Sequence, residues 1–203
     1  MHKQLAVLFC AFAPFAVAGD GAMSPTERAY LLDQLESTRK TVLATLQNVS
    51  EAQYKFKPAP EVWSVQECAE HIVLAEEFLL NTTTQQVLKT PAVPRLATAN
   101  AEADAKFFAA IQDRSKKATA PEPIKPGGER FATPADAMKE FSARRAKTIA
   151  YVKDTNDDLR THAVPGPAGT MDGYHFLLLL ASHSARHSAQ IREVQANPNY
   201  PKA

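Results

Sequence analysis

The sequence predicts an all-α fold: a four-helix bundle in up-down-down-up order, with a long crossover between helices two and three. Four segments place apolar residues at the three- and four-residue steps of a helix, and no stretch alternates with the period of a strand. Three of the four open on a capping residue. The connections between helices one and two and between three and four are short, which makes those pairs antiparallel. The connection between two and three is long enough to cross the bundle, so the middle pair can run parallel.

The elements follow in chain order. Residues 1–18 read as a signal peptide. Lys3 supplies the positive start, Leu5 to Ala13 the apolar core, and Ala16-Val17-Ala18 the small-residue cleavage site, so the mature domain is 19–203. At about 14 residues the apolar run is shorter than the roughly 20 needed to span a bilayer. The expected location is therefore outside the cytosol, periplasmic or secreted. Helix one, 25–49, starts at the N-cap Ser24 with Pro25 next and Glu27 completing a capping box; Leu31, Leu35, Thr38, Val42, Thr45 and Val49 form its face. Helix two, 64–88, opens with Ser64 and Glu67, and its face is Val65, Cys68, Ile72, Ala75 and Leu79, with His71 beside it. The stretch 90–133 is rich in Pro and Gly and reads as connection, with a helical segment near 99–117 lying outside the core. Helix three, 134–156, begins at Thr133-Pro134; Ala137, Phe141, Arg144, Thr148, Tyr151 and Val152 mark its face. Pro165-Gly166-Pro167 and Gly169 break the chain before helix four, 171–196.

Composition narrows the partners. The formal charge is +1, and loss of residues 1–18 removes Lys3 and no acid, so nothing points to nucleic acid or an anionic surface. Beyond the leader no apolar run reaches membrane length, and Cys68 is the one remaining cysteine, so no internal disulfide supports the fold. The expected partner is a small-molecule substrate or ligand, with a homodimer as a possible assembly.

Helix four carries the informative feature. Phe176, Leu180, His183, His187, Gln190 and Val194 share one stripe. Its ends are apolar, as a core-facing stripe should be, but its middle is two imidazoles and an amide. Inward polar groups are costly unless they are bonded to something. Two histidines one turn apart suit a divalent metal ion, which takes neutral imidazole nitrogens. A third ligand must come from elsewhere: His71, His162, His175 and Cys68 are the candidates, and His71, on a regular helix beside its core face, is best placed. The alternative is a cluster of core histidines hydrogen-bonded to one another and to Gln190. Gln190 either bonds a ligand histidine or a ligand of the ion, or satisfies a core histidine. Arg186 flanks the stripe and either attracts an anionic ligand or pairs with an acid on a neighbouring helix.

Two segments resemble one family. Trp63-Ser64-Val65, followed by His71-Ile72, resembles the start of the second helix in the DinB superfamily, and His183-x-x-x-His187-x-x-Gln190-Ile191 resembles its closing motif. The resemblance spans roughly residues 24–196. It implies a metal-binding helical bundle with a His71, His183 and His187 triad. The family is chemically mixed and includes metal-dependent transferases that use low-molecular-weight thiols. The leader departs from the usual cytosolic member, and reduced thiols are scarce outside the cytosol.

Three readings of function follow: a metal-dependent hydrolase or transferase acting on a small molecule, a non-catalytic metal- or ligand-binding protein of the envelope, and a structural helical protein. The chain has no His-Glu-x-x-His protease motif and no Glu-x-x-His pattern of di-iron carboxylate proteins. Three imidazoles suit zinc, nickel, iron or copper equally.

Overall fold

Ser24 opens the first helix by accepting the Glu27 N–H, while the Glu27 carboxylate accepts the Ser24 N–H, closing the capping box in both directions. The computed structural model describes residues 21–202; the signal peptide expected at 1–18 lies outside them. α1 (Pro25–Leu46) buries Leu31, Leu35, Thr38, Val42 and Thr45. It stops three residues earlier than expected, because Asn48 takes a left-handed φ of 60° and Ser50 caps a new helix. That helix, α2 (Glu51–Lys55), inserts a fully buried Tyr54. α3 (Val65–Gln85) repeats the capping box with Ser64 and Glu67 and buries Val65, Cys68, Ile72, Ala75 and Leu79. The crossover contains α4 (Ala101–Gln112) and a 3-10 turn at Glu122–Ile124. α5 (Pro134–Asp154) starts at the Thr133 cap. Two four-residue strands, β1 (Ala163–Gly166) and β2 (Gly169–Asp172), then pair antiparallel. Asp172 caps α6 (Gly173–Gln195), which packs against α1, α3 and α4.

These elements correct the expected four-helix bundle. Among the described residues six α-helices, not four, build the core, and a small hairpin joins α5 to α6. α4 does not lie outside the core: Phe107, Phe108 and Ile111 pack against it, and Asp104 is buried beneath. Its proline-rich flanks disguise this, since they mark where the helix ends and not where it docks. The hairpin escapes a period-2 reading because its strands are four residues long. Two residues, Pro167 and Ala168, make its loop, and Gly169 reverses the chain at a φ of +96°. α6 accordingly starts at Gly173 and not at 171.

Hydrogen bonds near the helix ends set the directions of the long helices. Tyr174 donates to the Glu27 carbonyl, and Gln195 to the Thr45 carbonyl, so α1 and α6 run the same way. Arg28 at the start of α1 donates to the Thr155 carbonyl beyond the end of α5, so those two run oppositely. Gln66 near the start of α3 donates to Phe131 just before α5, so α3 and α5 run together.

The core has two apolar parts. One gathers Leu31, Leu35, Leu79, Ile149 and Leu177; the other Val42, Val65, Ile72, Phe141 and Val194. A polar layer lies between them on all four long helices. Its hub is Arg145, wholly buried and held by Glu76 (2.9 Å at Nε), the Leu35 carbonyl (2.7 Å), Thr38 (2.8 Å) and Ser184 (2.8 Å). Arg144, expected on this face, instead reaches the surface acids Glu77 and Glu140.

Candidate metal centre

The two helices that supply Glu76 and Ser184 to the polar layer also carry three histidines that converge. The Ser64 cap fixes where α3 begins and so places His71 almost two turns in; His183 and His187 lie one turn apart on α6. Their ring centroids are 4.7 Å (71–183), 4.5 Å (71–187) and 4.4 Å (183–187) apart. One ligand nitrogen from each ring falls within 4.8 Å of the others. His71 and His187 are buried and His183 is half-buried. Trp63, just before the cap, stacks on His187 (5.9 Å, 27°) and meets His71 edge-on (4.9 Å), walling one side.

Partners assign the protons on two of the rings. His71 Nδ1 lies 2.6 Å from the Ile124 carbonyl, which can only accept, so Nδ1 carries the hydrogen and Nε2 is a lone pair. His187 Nδ1 lies 2.9 Å from Gln190 Oε1. Arg114 Nη1 also donates to that atom at 3.1 Å, which identifies it as the amide oxygen. His187 Nε2 is therefore a lone pair too.

Burial holds all three rings below the ordinary imidazole pKa. For His183 the neighbouring His187 and His71 add to it; for His187, burial and His71 push the value down to about 3; for His71, the Ile124 bond only partly offsets burial. The cluster is neutral and rich in lone pairs.

The chemistry of that donor set, and the spacing of its His71–His183 pair, fit a divalent ion. His71 Nε2 and His183 Nε2 are 2.9 Å apart. Two nitrogens each about 2.0–2.1 Å from one ion stand roughly 2.9–3.4 Å apart for bond angles of about 90–110°. The hydrogen-bonded alternative satisfies the rings less well. Only His183 can donate across the 2.9 Å contact, and its buried Nδ1 then has no partner.

A sequence profile of the DinB superfamily matches residues 34–191, most of the chain. The chain belongs to the DinB superfamily. Comparison with curated proteins and with solved structures found no match.

In this DinB-superfamily chain the triad joins residues 112 positions apart, and the other sequence candidates take separate places. Gln190 orients His187 as described. Arg186 donates to the carbonyls of Ile111 (3.1 Å), Asp113 (2.5 Å) and Lys116 (2.5 Å), so it secures the end of α4 to α6. Cys68 is buried in the part of the core that holds Val65, Ile72 and Val194, and burial pushes its thiol pKa far up. Glu67 serves the cap and pairs with Lys57. His162 donates to the Thr90 carbonyl at 2.7 Å. His175 sits between Asp104 and Asp172, away from the triad. A hollow of about 110 Å³ beside His175, lined by Phe107, Thr170 and Met171, does not include the triad.

Three contributors have no sequence signal of their own. The Ile124 carbonyl is a backbone atom. Arg114 and Glu70 lie in stretches explained by other roles, crossover and helix surface. Only the presence of Glu70 one residue before His71, at a position that proves fully buried, hints at more.

Proposed function

We propose that this DinB-superfamily protein holds one divalent metal ion at His71, His183 and His187 and uses it as a hydrolase or transferase acting on a small molecule. The carrying observation is the convergence of three neutral imidazoles in the core, two of them with Nδ1 hydrogen-bonded and Nε2 left as a lone pair. A bound divalent ion supplies Lewis-acid polarisation of a substrate group or a lowered pKa for a coordinated water or thiol. The protein's own residues hold His71 and His187 in one tautomer, keep all three rings uncharged by burial, and exclude water on the Trp63 side. Because no ligand is anionic, none of the ion's charge is cancelled.

Neither nearby carboxylate is placed to accept a proton. Glu67 is engaged by the Ser64 N–H and Lys57, and Glu70 by backbone amides. With both engaged, neither is free to act as a general base for attack by water.

The test is metal stoichiometry in tag-free protein, wild type beside His187→Ala. Wild type should take up one equivalent of Zn²⁺ by calorimetric titration and elemental analysis, with quenching of Trp63 when Cu²⁺ is used as probe. His187→Ala should lose stoichiometric uptake while its circular dichroism stays helical. Full retention by the variant, or no uptake by wild type, overturns the metal reading. Metal-loaded protein that shows no metal-dependent turnover of small esters, amides or thiol acceptors overturns the enzymatic part and leaves a metal-holding protein.

A further inference from the structure

The crossover between α4 and α5 grips the histidine cluster from both sides. On the α6 side, Arg114 just beyond α4 donates to Gln190 Oε1 at 3.1 Å and to the Glu193 carboxylate at 3.1 and 2.7 Å. Gln190 Oε1 also accepts from His187. On the α3 side, His71 donates to the Ile124 carbonyl, and the chain immediately afterwards folds around Glu70. The N–H groups of Gly127 (3.0 Å), Gly128 (2.8 Å) and Glu129 (3.1 Å) all donate to the Glu70 carboxylate. Gly128 has a φ of +77°, which only glycine adopts without strain and which turns successive amides toward one point.

Glu70 is wholly buried, yet the cation paired with it among the described residues, Arg130 Nε, stands 3.6 Å away. Burying a carboxylate is costly, and here the backbone amides compensate it. Glu70 is outside the ligand cluster. What it does is pin residues 127–129, three to five positions after the carbonyl that fixes His71.

We propose that Glu70 and Arg114 are positioning residues for the triad. Glu70 holds the crossover so that the Ile124 carbonyl stays on His71 Nδ1, and Arg114 holds the Gln190 oxygen on His187 Nδ1. Each keeps the ring proton outward and the Nε2 lone pair turned in. An imidazole without such a partner favours the opposite tautomer, with its proton on Nε2. The purpose of this arrangement rests on the metal-binding reading above; its geometry does not.

Long-range ¹H–¹⁵N correlation on metal-free protein reads each histidine tautomer, and Zn²⁺ titration reads the consequence. Wild type should show Nδ1–H at His71 and His187. Glu70→Gln should move His71 toward Nε2–H and leave His187 unchanged; Arg114→Met should do the reverse. Each should weaken Zn²⁺ binding by about 10-fold or more, the usual effect of losing a partner that orients a ligand. Gly128→Ala strains the loop through its left-handed φ, while its added Cβ meets α3 only in ordinary contact with Glu67 Cγ (3.5 Å), and it should shift His71 as Glu70→Gln does, so the test survives if Glu70→Gln does not fold. Unshifted tautomers in folded variants, or Nε2–H at His71 in wild type, overturn the proposal. Tautomers that shift as expected in a protein that takes up no Zn²⁺ would uphold the positioning and sink the metal reading instead.

Discussion

Near the start of α6, Glu27, Asp104 and Asp172 surround Arg160 at 2.6–3.1 Å, with Arg95 and His175 at the edges. Two turns further along the same helix, three imidazoles meet with no carboxylate in their cluster. Both groups are buried, but they are balanced differently. In the first, three cations face three anions, and the Arg160 guanidinium also lies 3.7 Å over the Tyr174 ring. Burial opposes the charge on His175, but Asp104 (3.1 Å) and Asp172 (2.9 Å) outweigh it and its pKa is pushed up to about 9. In the second there is no opposing charge, and His187 is pushed down to about 3. One residue type on one helix is thus held charged at one place and neutral at another. The charged one is paired with the two carboxylates beside it and serves the fold. The neutral ones keep unused lone pairs, which is what a metal ion needs.

The largest expected effect comes from breaking the balanced cluster. Arg160→Met leaves three buried carboxylates to Arg95 and His175 alone and should cost about 3–5 kcal/mol in urea denaturation, or prevent folding. A loss below about 1 kcal/mol would mean that the cluster is not charge-compensated through Arg160.

Next is a pH dependence of opposite sign in the two regions. His175 has a folded pKa above the unfolded value near 6.5, so its contribution is fully present below 6.5 and is lost as pH rises through 9. The triad is depressed, so in metal-free protein its contribution is present above 6.5 and is lost as pH falls toward 3, where the unfolded chain takes up protons that the folded core refuses. Each arm should be worth about 1–3 kcal/mol. Urea midpoints measured across pH should peak near 6–7, and His175→Gln should flatten only the alkaline side. Loss of the acid arm in that variant would contradict the assignment.

The smallest effect should be His183→Leu in metal-free protein. It removes an orphaned Nδ1 and leaves His71 Nε2 without its neighbour, one unsatisfied atom exchanged for another, so stability should change by at most about 1 kcal/mol. A loss comparable to that of Arg160→Met would make the triad a structural hydrogen-bond cluster and erase the contrast.

Much of this was written in short-range chemistry. The caps at Ser24, Ser64 and Thr133, the buried faces of α1 and α3, and the inward His183 and His187 follow from hydroxyl-to-amide reach and a 3.6-residue repeat, which involve residues a few positions apart. The third histidine of the cluster, His71, was already favoured by its helix face and by the family motif. Tertiary structure decided the rest. Arg145 and Arg144 are equivalent by composition and differ by one residue in position; the inward one is chosen by Glu76, Thr38 and Ser184 on three other helices. The docking of α4 and the hairpin before α6 depend on surfaces distant in sequence. The Ile124 carbonyl and the amides around Glu70 are backbone groups that every residue has, so no side-chain pattern marks them. A local rule sees only what its own turn of helix can reach, while the protonation of a buried ring is set by whichever atoms the whole chain brings beside it.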